Sequence, residues 1–484
     1  MKSLFSFYGK LTLVVSLFLF TNSYAQNISD VLRLATPGLG VSARALGMGN
    51  SYIGLSDDAS AAFFNPAGLG LLKRIEFSGG LDYNKFSNNT QFFGQNTIES
   101  NTSERLNRLS LAIPFPTYQG SLVFGISYYT SKNLTSAMKF DGFNSSNNSM
   151  IQNLLNSDSK YDYYIPYDLF LSNSTADSTI IIGRLNQSGS ILSSGSINNW
   201  AFSGAIEVYK NLFVGLTFNY ITGSYTSNND YYEDDTKNLY QGETAAGETQ
   251  TTDFRTFHLN RILDWDIKGW DVKLGILYQF NDIARFGATI QFPKNHTIKE
   301  TFTVNGSSQF GTGQSYSLDP TYYSSQSKYD IVTPFELSAG ISFNISGLIL
   351  SGDATIIDYS QNEFKNADNF PADFVASLNK NITTNLGSVI NVNTGFEYTI
   401  PYVGLRIRGG FILQPSAYKG DPKEFDKKYF TAGIGFLTNQ TVGIDLGYAH
   451  GWWMDYGDNY GFNESRTFQD ITTDRVILGM TYRF

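Results

Sequence analysis

The sequence predicts an all-β protein: a 14-stranded antiparallel transmembrane β-barrel with an N-terminal hatch, or plug, inside its lumen. Three observations carry that prediction. Apolar and polar residues alternate with period two in fourteen segments between residues 75 and 484. The connections between those segments alternate between short and long. The chain closes on an amphipathic strand with an aromatic C-terminal residue, Phe484.

In chain order, the leader comes first. Lys2 and Lys10 flank a short basic region, residues 11–20 (LTLVVSLFLF) are apolar, and Ser23-Tyr24-Ala25 offers small residues at a cleavage site. Residues 1–25 therefore read as a secretory signal peptide, too short to span a bilayer as a helix. Its loss removes two lysines and no acid, so the mature chain is more acidic than the −9 of the whole sequence. Nucleic acid is not an expected partner of such a chain. With no cysteine, an exported chain must rely on hydrogen bonds and packing rather than disulfides.

Residues 26–74 form the expected hatch. Ile28, Val31, Leu32 and Ala35 recur at helical spacing and predict a short amphipathic helix that Pro37-Gly38 ends. Gly40, Gly47, Gly49 and Gly54 give a backbone able to pack closely. Ser56 is expected to cap a short helix whose first turn holds Asp57 and Asp58, where the helix dipole favours acids. Asn65-Pro66 should stop it.

From Ile75 onward, residues 75–484 form the expected barrel. Ile75, Phe77, Gly79, Leu81 and Tyr83 share one face, and Glu76, Ser78, Gly80 and Asp82 the other. The same pattern recurs in segments near 106–114, 121–130, 199–209, 212–224, 264–280, 284–303, 329–344, 348–360, 388–400, 404–413, 427–437, 440–455 and 472–484. Tilted segments of about 9–11 residues suffice to cross a bilayer, and an even strand number suits a bacterial barrel with both ends on one side. Short links fall at 114–120, 210–211, 281–283, 345–347, 402–403 and 438–439; long polar ones at 87–105, 131–198, 225–263, 304–328, 361–387, 414–426 and 456–471. Turns on one rim and loops on the other is the outer-membrane arrangement. In the last segment Val476, Leu478, Met480, Tyr482 and Phe484 form an apolar face that closure would protect from edge pairing. Within the long loops, Met150, Ile151, Leu154 and Leu155, and again Phe374, Val375 and Leu378, sit at helical spacing, and 180–182 is an apolar run. Such patches either pack the loops together or catch a greasy ligand.

Catalytic and metal chemistry has no foothold. His258, His296 and His450 are scattered without ligand spacing, so no metal site and no cofactor are expected. Glu233-Asp234-Asp235 reads as a solvated acidic run rather than a calcium loop. Gly47-Met48-Gly49 lacks the third glycine and the βαβ setting of a dinucleotide fingerprint, and no nucleophile elbow occurs in context. A non-enzyme is expected. By strand parity Glu76, Glu207, Lys273, Arg285, Glu336, Asp353, Glu397, Arg406, Arg408, Asp445 and Arg475 point inward. Most should pair with one another or with the hatch, because an isolated buried charge is costly. Arg406 or Arg408 is the candidate to bind a ligand carboxylate in bidentate fashion.

The run SARALGMGN (42–50), DDAS (57–60) and NPAGL (65–69), directly before the first strand, resembles the FadL/TodX-type outer-membrane transporters of long-chain fatty acids and aromatic hydrocarbons. The resemblance implies a bacterial outer-membrane location, a hydrophobic small-molecule ligand, contact with outer-membrane lipid and a monomer. It also implies passive uptake by ligand binding, hatch rearrangement and lateral release through the wall. Carried over, Asp57, Asp58, Asn65, Pro66, Ala67 and Gly68 become hatch or gating residues, and Gly125 the site of a strand kink, since Gly weakens strand pairing. Segment 131–198 is longer than the family leads one to expect. The rival readings are a barrel acting in protein secretion or surface attachment, and a diffusion porin.

Overall fold

The computed structural model describes residues 27–484 except 158–159, 369 and 439–440. The signal-peptide reading lies outside the described residues.

Among the described residues fourteen wall strands form one antiparallel sheet that closes on itself. They are β1 (Glu76–Phe92), β2 (Gln95–Phe115), β3 (Leu122–Asn133, continued by Ser136–Phe143), β4 (Asn186–Tyr209) and β5 (Leu212–Asp234). Next come β6 (Phe254–Phe280), β7 (Ala284–Gln291, continued by Asn295–Phe310), β8 (Ser324–Val332, continued by Glu336–Ile345) and β9 (Leu348–Asp358, continued by Glu363–Asp368). The ring ends with β10 (Ser388–Thr399), β11 (Leu405–Gln414), β12 (Lys427–Thr438), β13 (Val442–Asp458) and β14 (Arg466–Arg483). Closure is β14 against β1, in register from Glu76↔Arg483 to Gln91↔Phe468. Closure matters because an unpaired backbone edge in hydrocarbon leaves each N–H and C=O at a cost of several kcal/mol.

The parity reading holds in the wall. Phe77, Leu81, Phe124, Ile126, Val214, Leu216, Ile276, Ile407, Ile444 and Leu478 are exposed and face outward, while Ser78, Asp82, Val123, Phe213, Leu277 and Arg408 are buried on the inner face. A ring of exposed large apolar side chains around a closed barrel is a lipid-facing surface.

The long connections differ from expectation. Segment 87–105 is a hairpin whose strands continue to a turn at Phe93 and Gly94, and 225–263 likewise carries β5 to Asp234, which pairs with Thr256 near the start of the next strand. Above the apolar belt these strands hold Ser, Asn and Thr on both faces, so the amphipathic signal fades although the hydrogen-bond ladder continues. The extended strands and two helices, α3 (Met150–Leu155) and α4 (Lys160–Asp168), build a crown on the loop side. Its core gathers Phe140, Ile151, Leu154, Ile165, Leu169, Ile181, Phe254 and Tyr460, all buried. Met150, Ile151 and Leu154 therefore pack the loops together, and of the run 180–182 only Ile181 joins them while Ile180 and Ile182 stay exposed. A further helix, α5 (Ala372–Asn385), lies in the connection after β9; of the residues at helical spacing Phe374 and Leu378 are buried and Val375 partly so, and Ile382 joins them.

Two wall irregularities stand close together. Between Gly80 and Leu81 the β1–β2 register shifts, leaving Asn107 as an extra residue. The shift explains why Leu109 and Leu106, three apart, both face lipid. The β2–β3 ladder then runs only from Phe115↔Leu122 to Arg108↔Tyr129. Gly125 lies inside its regular part, paired with Ala112 and Ser203, so the kink expected there is absent. The irregularity of β3 is a register shift between Thr130 and Lys132. Gly125 keeps its ladder because inward Ser203 and Leu69 pack normally over it, with room even for a Cβ at 3.6–3.8 Å.

Candidate lumen site

The leading segment, residues 41–72, is almost wholly buried and lies against the inner wall. A helix α1 (Ile28–Ala35) precedes it, N-capped by Asn27, and α2 (Ala43–Gly47) opens it, N-capped by Ser42. The cap expected at Ser56 is instead Asp58, whose carboxylate accepts from Ser60 N at 2.8 Å at the start of the turn Ala59–Ala62. Ser56 has φ of 25° and donates its hydroxyl to Tyr52 O.

Inward-facing wall glycines make the seat. A Cβ at Gly275 would stand 2.1 Å from Asn65 Oδ1, at Gly215 2.3 Å from the Pro66 carbonyl carbon, at Gly395 2.1 Å from Met48 O and at Gly410 2.4 Å from Gly49 N. Wall and leading segment thus meet backbone to backbone, which only glycine permits. Asn65 ties the two together: its Nδ2 donates to Ile53 O and to Ile276 O on β6, both at 3.0 Å, and its Oδ1 accepts from Ala67 N at 3.2 Å. Pro66 starts the turn Pro66–Leu71, where its missing N–H is no loss. Ala67 is fully buried against Phe213 and Leu277. Gly68 has no room for a side chain, since its Cβ would meet Ser56 O at 1.9 Å.

The charges converge on the same segment. Arg44 donates through Nε and Nη2 to both oxygens of Glu397, at 2.9 Å each, and through Nη1 to Asp57 at 2.6 Å. Asp57 also accepts from Arg285 at 3.0 Å. Asp58 accepts from the Tyr52 hydroxyl at 2.7 Å. Arg408 Nε donates to Glu397 at 2.7 Å, and its Nη1 stands 2.7 Å from Asp445, off the hydrogen-bond direction. The candidacy of Arg408 as a carboxylate receptor therefore fails. Its side chain is fully buried between two carboxylates of the protein itself. Arg406 lies next to the turn 400–404, with its Nε unpartnered.

Other inward charges follow suit. Asp353 accepts from the backbone N–H groups of Tyr52 and Ile53. Lys273 donates to Phe63 O, Arg475 pairs with Asp82, Arg483 with Glu76, and Lys294 with Glu336. Glu207 departs from the pattern: it accepts from Asn211 N within its own turn. Sequence reasoning passed over Arg44, Tyr52 and Asp82. Arg44 sits inside the SARALG motif, where a charge between alanines was itself the available signal.

Above the leading segment, α1 lies in the upper lumen. Val31 and Leu34 pack with Ile221, Trp265, Ile298, Tyr329 and Ile357. The Arg33 guanidinium sits 4.2 Å over the Tyr225 ring and 5.2 Å over Trp265. Beside this level the open part of the β2–β3 seam is bridged by side chains. Asn133 Nδ2 donates to Ser103 across it at 2.7 Å, and Arg105 Nη1 reaches past β3 to Gly195 O of β4 at 3.0 Å.

In the crown, Glu233 corrects the reading of 233–235 as solvated. Its carboxylate is fully buried and accepts from Met150 N at 2.7 Å, Ile151 N at 3.4 Å and Gln187 Nε2 at 2.7 Å. Burial pushes its pKa up to about 7 against those donors. Asp235 is buried too, accepting from Tyr240 N.

No family model matches the chain, and no curated protein matches it. Solved structures do. A FadL homologue of Pseudomonas aeruginosa matches with a TM-score of 0.56 at 12% identity, over 93% of this chain and 99% of that one. The toluene transporter TodX of P. putida matches with a TM-score of 0.53 at 13% identity, over 92% and 99%. The toluene transporter TbuX of Ralstonia pickettii matches with a TM-score of 0.50 at 16% identity, over 92% and 98%. At such identity the likeness is one of fold, and it spans nearly the whole of each chain: this protein is built as a FadL/TodX-type barrel.

Proposed function

We propose that the barrel takes up hydrophobic molecules passively across the bacterial outer membrane, by ligand binding, rearrangement of the leading segment as a hatch, and lateral release. The observation that carries this reading is a lumen filled by a tightly seated segment inside a lipid-facing wall. A water-filled pore would serve polar solutes, whereas a greasy molecule needs an apolar, dehydrated route. The interrupted β2–β3 seam, bridged by side chains above Arg108↔Tyr129, supports a side exit, since it can part without breaking backbone pairs. Asn65, Pro66, Ala67 and Gly68, with Asp57 and Asp58, are then the gating residues. Long-chain fatty acids and monoaromatic hydrocarbons are the two ligand classes in view.

The test is uptake of radiolabelled oleate and toluene by a deletion strain complemented with wild-type or Asn65→Ala protein. The deletion should lose uptake of at least one compound, and Asn65→Ala should impair it while the barrel still assembles. Full uptake without the protein would end the proposal.

A further inference from the structure

Resting on that uptake reading, we infer that α1 is an internal stand-in for the ligand, occupying in the upper lumen the seat of an amphiphile with an anionic head group. The helix has the shape of such a molecule. Its apolar face, Val31, Leu34 and Ala35, is buried in a chamber walled by aromatic and β-branched side chains of β5 to β9. Its C-terminal end presents free carbonyls, the negative pole of the helix.

What receives that pole is cationic. Lys132 Nζ donates to Thr36 O at 2.5 Å and reaches Leu32 O at 3.5 Å. The shift in β3 register between Thr130 and Lys132 is what brings this lysine in beside Ile197 of the inner wall. No carboxylate of the described residues lies within 4.0 Å of it. His296 lies on the inner face of β7, 1% exposed, and neither ring nitrogen has a hydrogen-bond partner. The charges facing it are Lys294 and Lys132. In either neutral tautomer one of its nitrogens is a donor, and a side chain buried with both of its polar atoms unused demands an explanation.

A helix end supplies carbonyls to Lys132 and nothing to His296. A carboxylate, with four lone-pair sites, can accept from both at once. Chamber and cation together fit an anionic amphiphile better than the helix that now fills them. Elsewhere the contrast is plain: Arg44 and Arg408 are already engaged by Glu397, Asp57 and Asp445. Entry of the ligand then requires α1 to leave, which couples occupancy of the upper lumen to the segment that α1 leads into.

The experiment measures equilibrium binding of palmitate, hexadecanol and hexadecyltrimethylammonium to the purified full-length barrel, wild type and Val31→Asp/Leu34→Asp. Heat-modifiable gel migration serves as the check of barrel folding. The double substitution should expel α1 and tighten palmitate binding at least about ten-fold, with no gain for the ammonium. Adding Lys132→Met should remove the preference of palmitate over hexadecanol, about a ten-fold effect for one charge-assisted contact. Unchanged palmitate affinity in the folded double variant overturns the inference, as does an equal gain for all three head groups. Should the double variant not assemble, Lys132→Met alone decides: an unchanged palmitate-to-hexadecanol ratio overturns the inference. Hexadecanol binding with no palmitate advantage sinks the anionic seat and leaves the uptake reading standing. Binding of none of the three to any folded variant overturns the inference and leaves the uptake reading with monoaromatic hydrocarbons alone.

Discussion

The lower lumen and the crown are both closed cores, but they are held by different forces. In the lower lumen, backbone meets backbone across wall glycines, and buried arginines and carboxylates lock the contact. In the crown, strands that have left the membrane enclose an apolar cluster with a buried carboxylate, Glu233, at its edge. The difference follows from what each must do. Ion pairs and glycine contacts are directional and short-ranged, so they fix one seating of the leading segment. Apolar contact is non-directional, so the crown can shift its loops and stay closed.

The largest expected effect tests the lower lumen. Glu397→Ala would leave Arg44 and Arg408 facing each other without their shared carboxylate. Breaking a buried pair in this way costs about 3–5 kcal/mol. The midpoint of urea unfolding, followed by loss of the compact gel species, should fall accordingly. A midpoint equal to wild type would mean that the leading segment is not anchored by this charge cluster.

Next is the crown. Leu154→Ala removes a buried side chain from its core, at about 2–4 kcal/mol. Because the crown is joined to the belt by continuous strands but has its own core, the loss should appear as faster hydrogen exchange in α3 and α4, with exchange in β10 to β13 unchanged. Exchange that rose equally in the belt would merge the two regions into one cooperative unit.

Smaller again is the glycine seat. Gly275→Ala places a methyl group 2.1 Å from Asn65 Oδ1, and overpacking of this kind costs about 1–3 kcal/mol. The barrel ladder itself does not need the glycine, so the variant should assemble yet leak, raising single-channel conductance in planar bilayers. Gly352→Ala, whose Cβ would meet nothing within 4 Å, should stay sealed. Equal conductance in the two variants would dissolve the distinction between seat and wall.

The same contrast explains what could be read from the sequence. Within the belt each strand must show lipid an apolar face, so Leu212 to Tyr220 or Val442 to Tyr448 declare strand, parity and limits together. The ion-pair partners were only half legible. Parity turns Glu397 and Arg408 inward but cannot say that Arg44, some 350 residues earlier in the chain, completes them and takes Arg408 out of consideration for a ligand. Above the belt the signal fails, because Ser193 or Thr226 satisfies a strand and a loop equally well. There the hairpin at Phe93 and Gly94 has the composition of a loop, and Glu233 that of a solvated acidic run. Local pattern identified α3 and α5 through helical spacing but could not reveal which acid would be buried beneath the first.

That acid gives the smallest effect and the sharpest test of whether the crown behaves as its own unit. Glu233 has an ordinary pKa of 4.5 and in the folded crown one of about 7. Its folded value is raised, so its contribution to stability is fully present below about 4.5 and is lost as pH rises through about 7. Three donors to the carboxylate oppose this and burial outweighs them, with the nearby Asp234 adding repulsion. Opening of α3, read by hydrogen exchange corrected for intrinsic rates, should therefore become easier between pH 4.5 and 7. Glu233→Gln keeps an acceptor for Met150 N while removing the titration, and should flatten that dependence. The lower lumen serves as the internal control: amides of β10 and β11 around Glu397 should show no matching trend in the same samples. A slope that survived in Glu233→Gln would mean that another group sets the pH response of the crown, and that the carboxylate under α3 is only a cap.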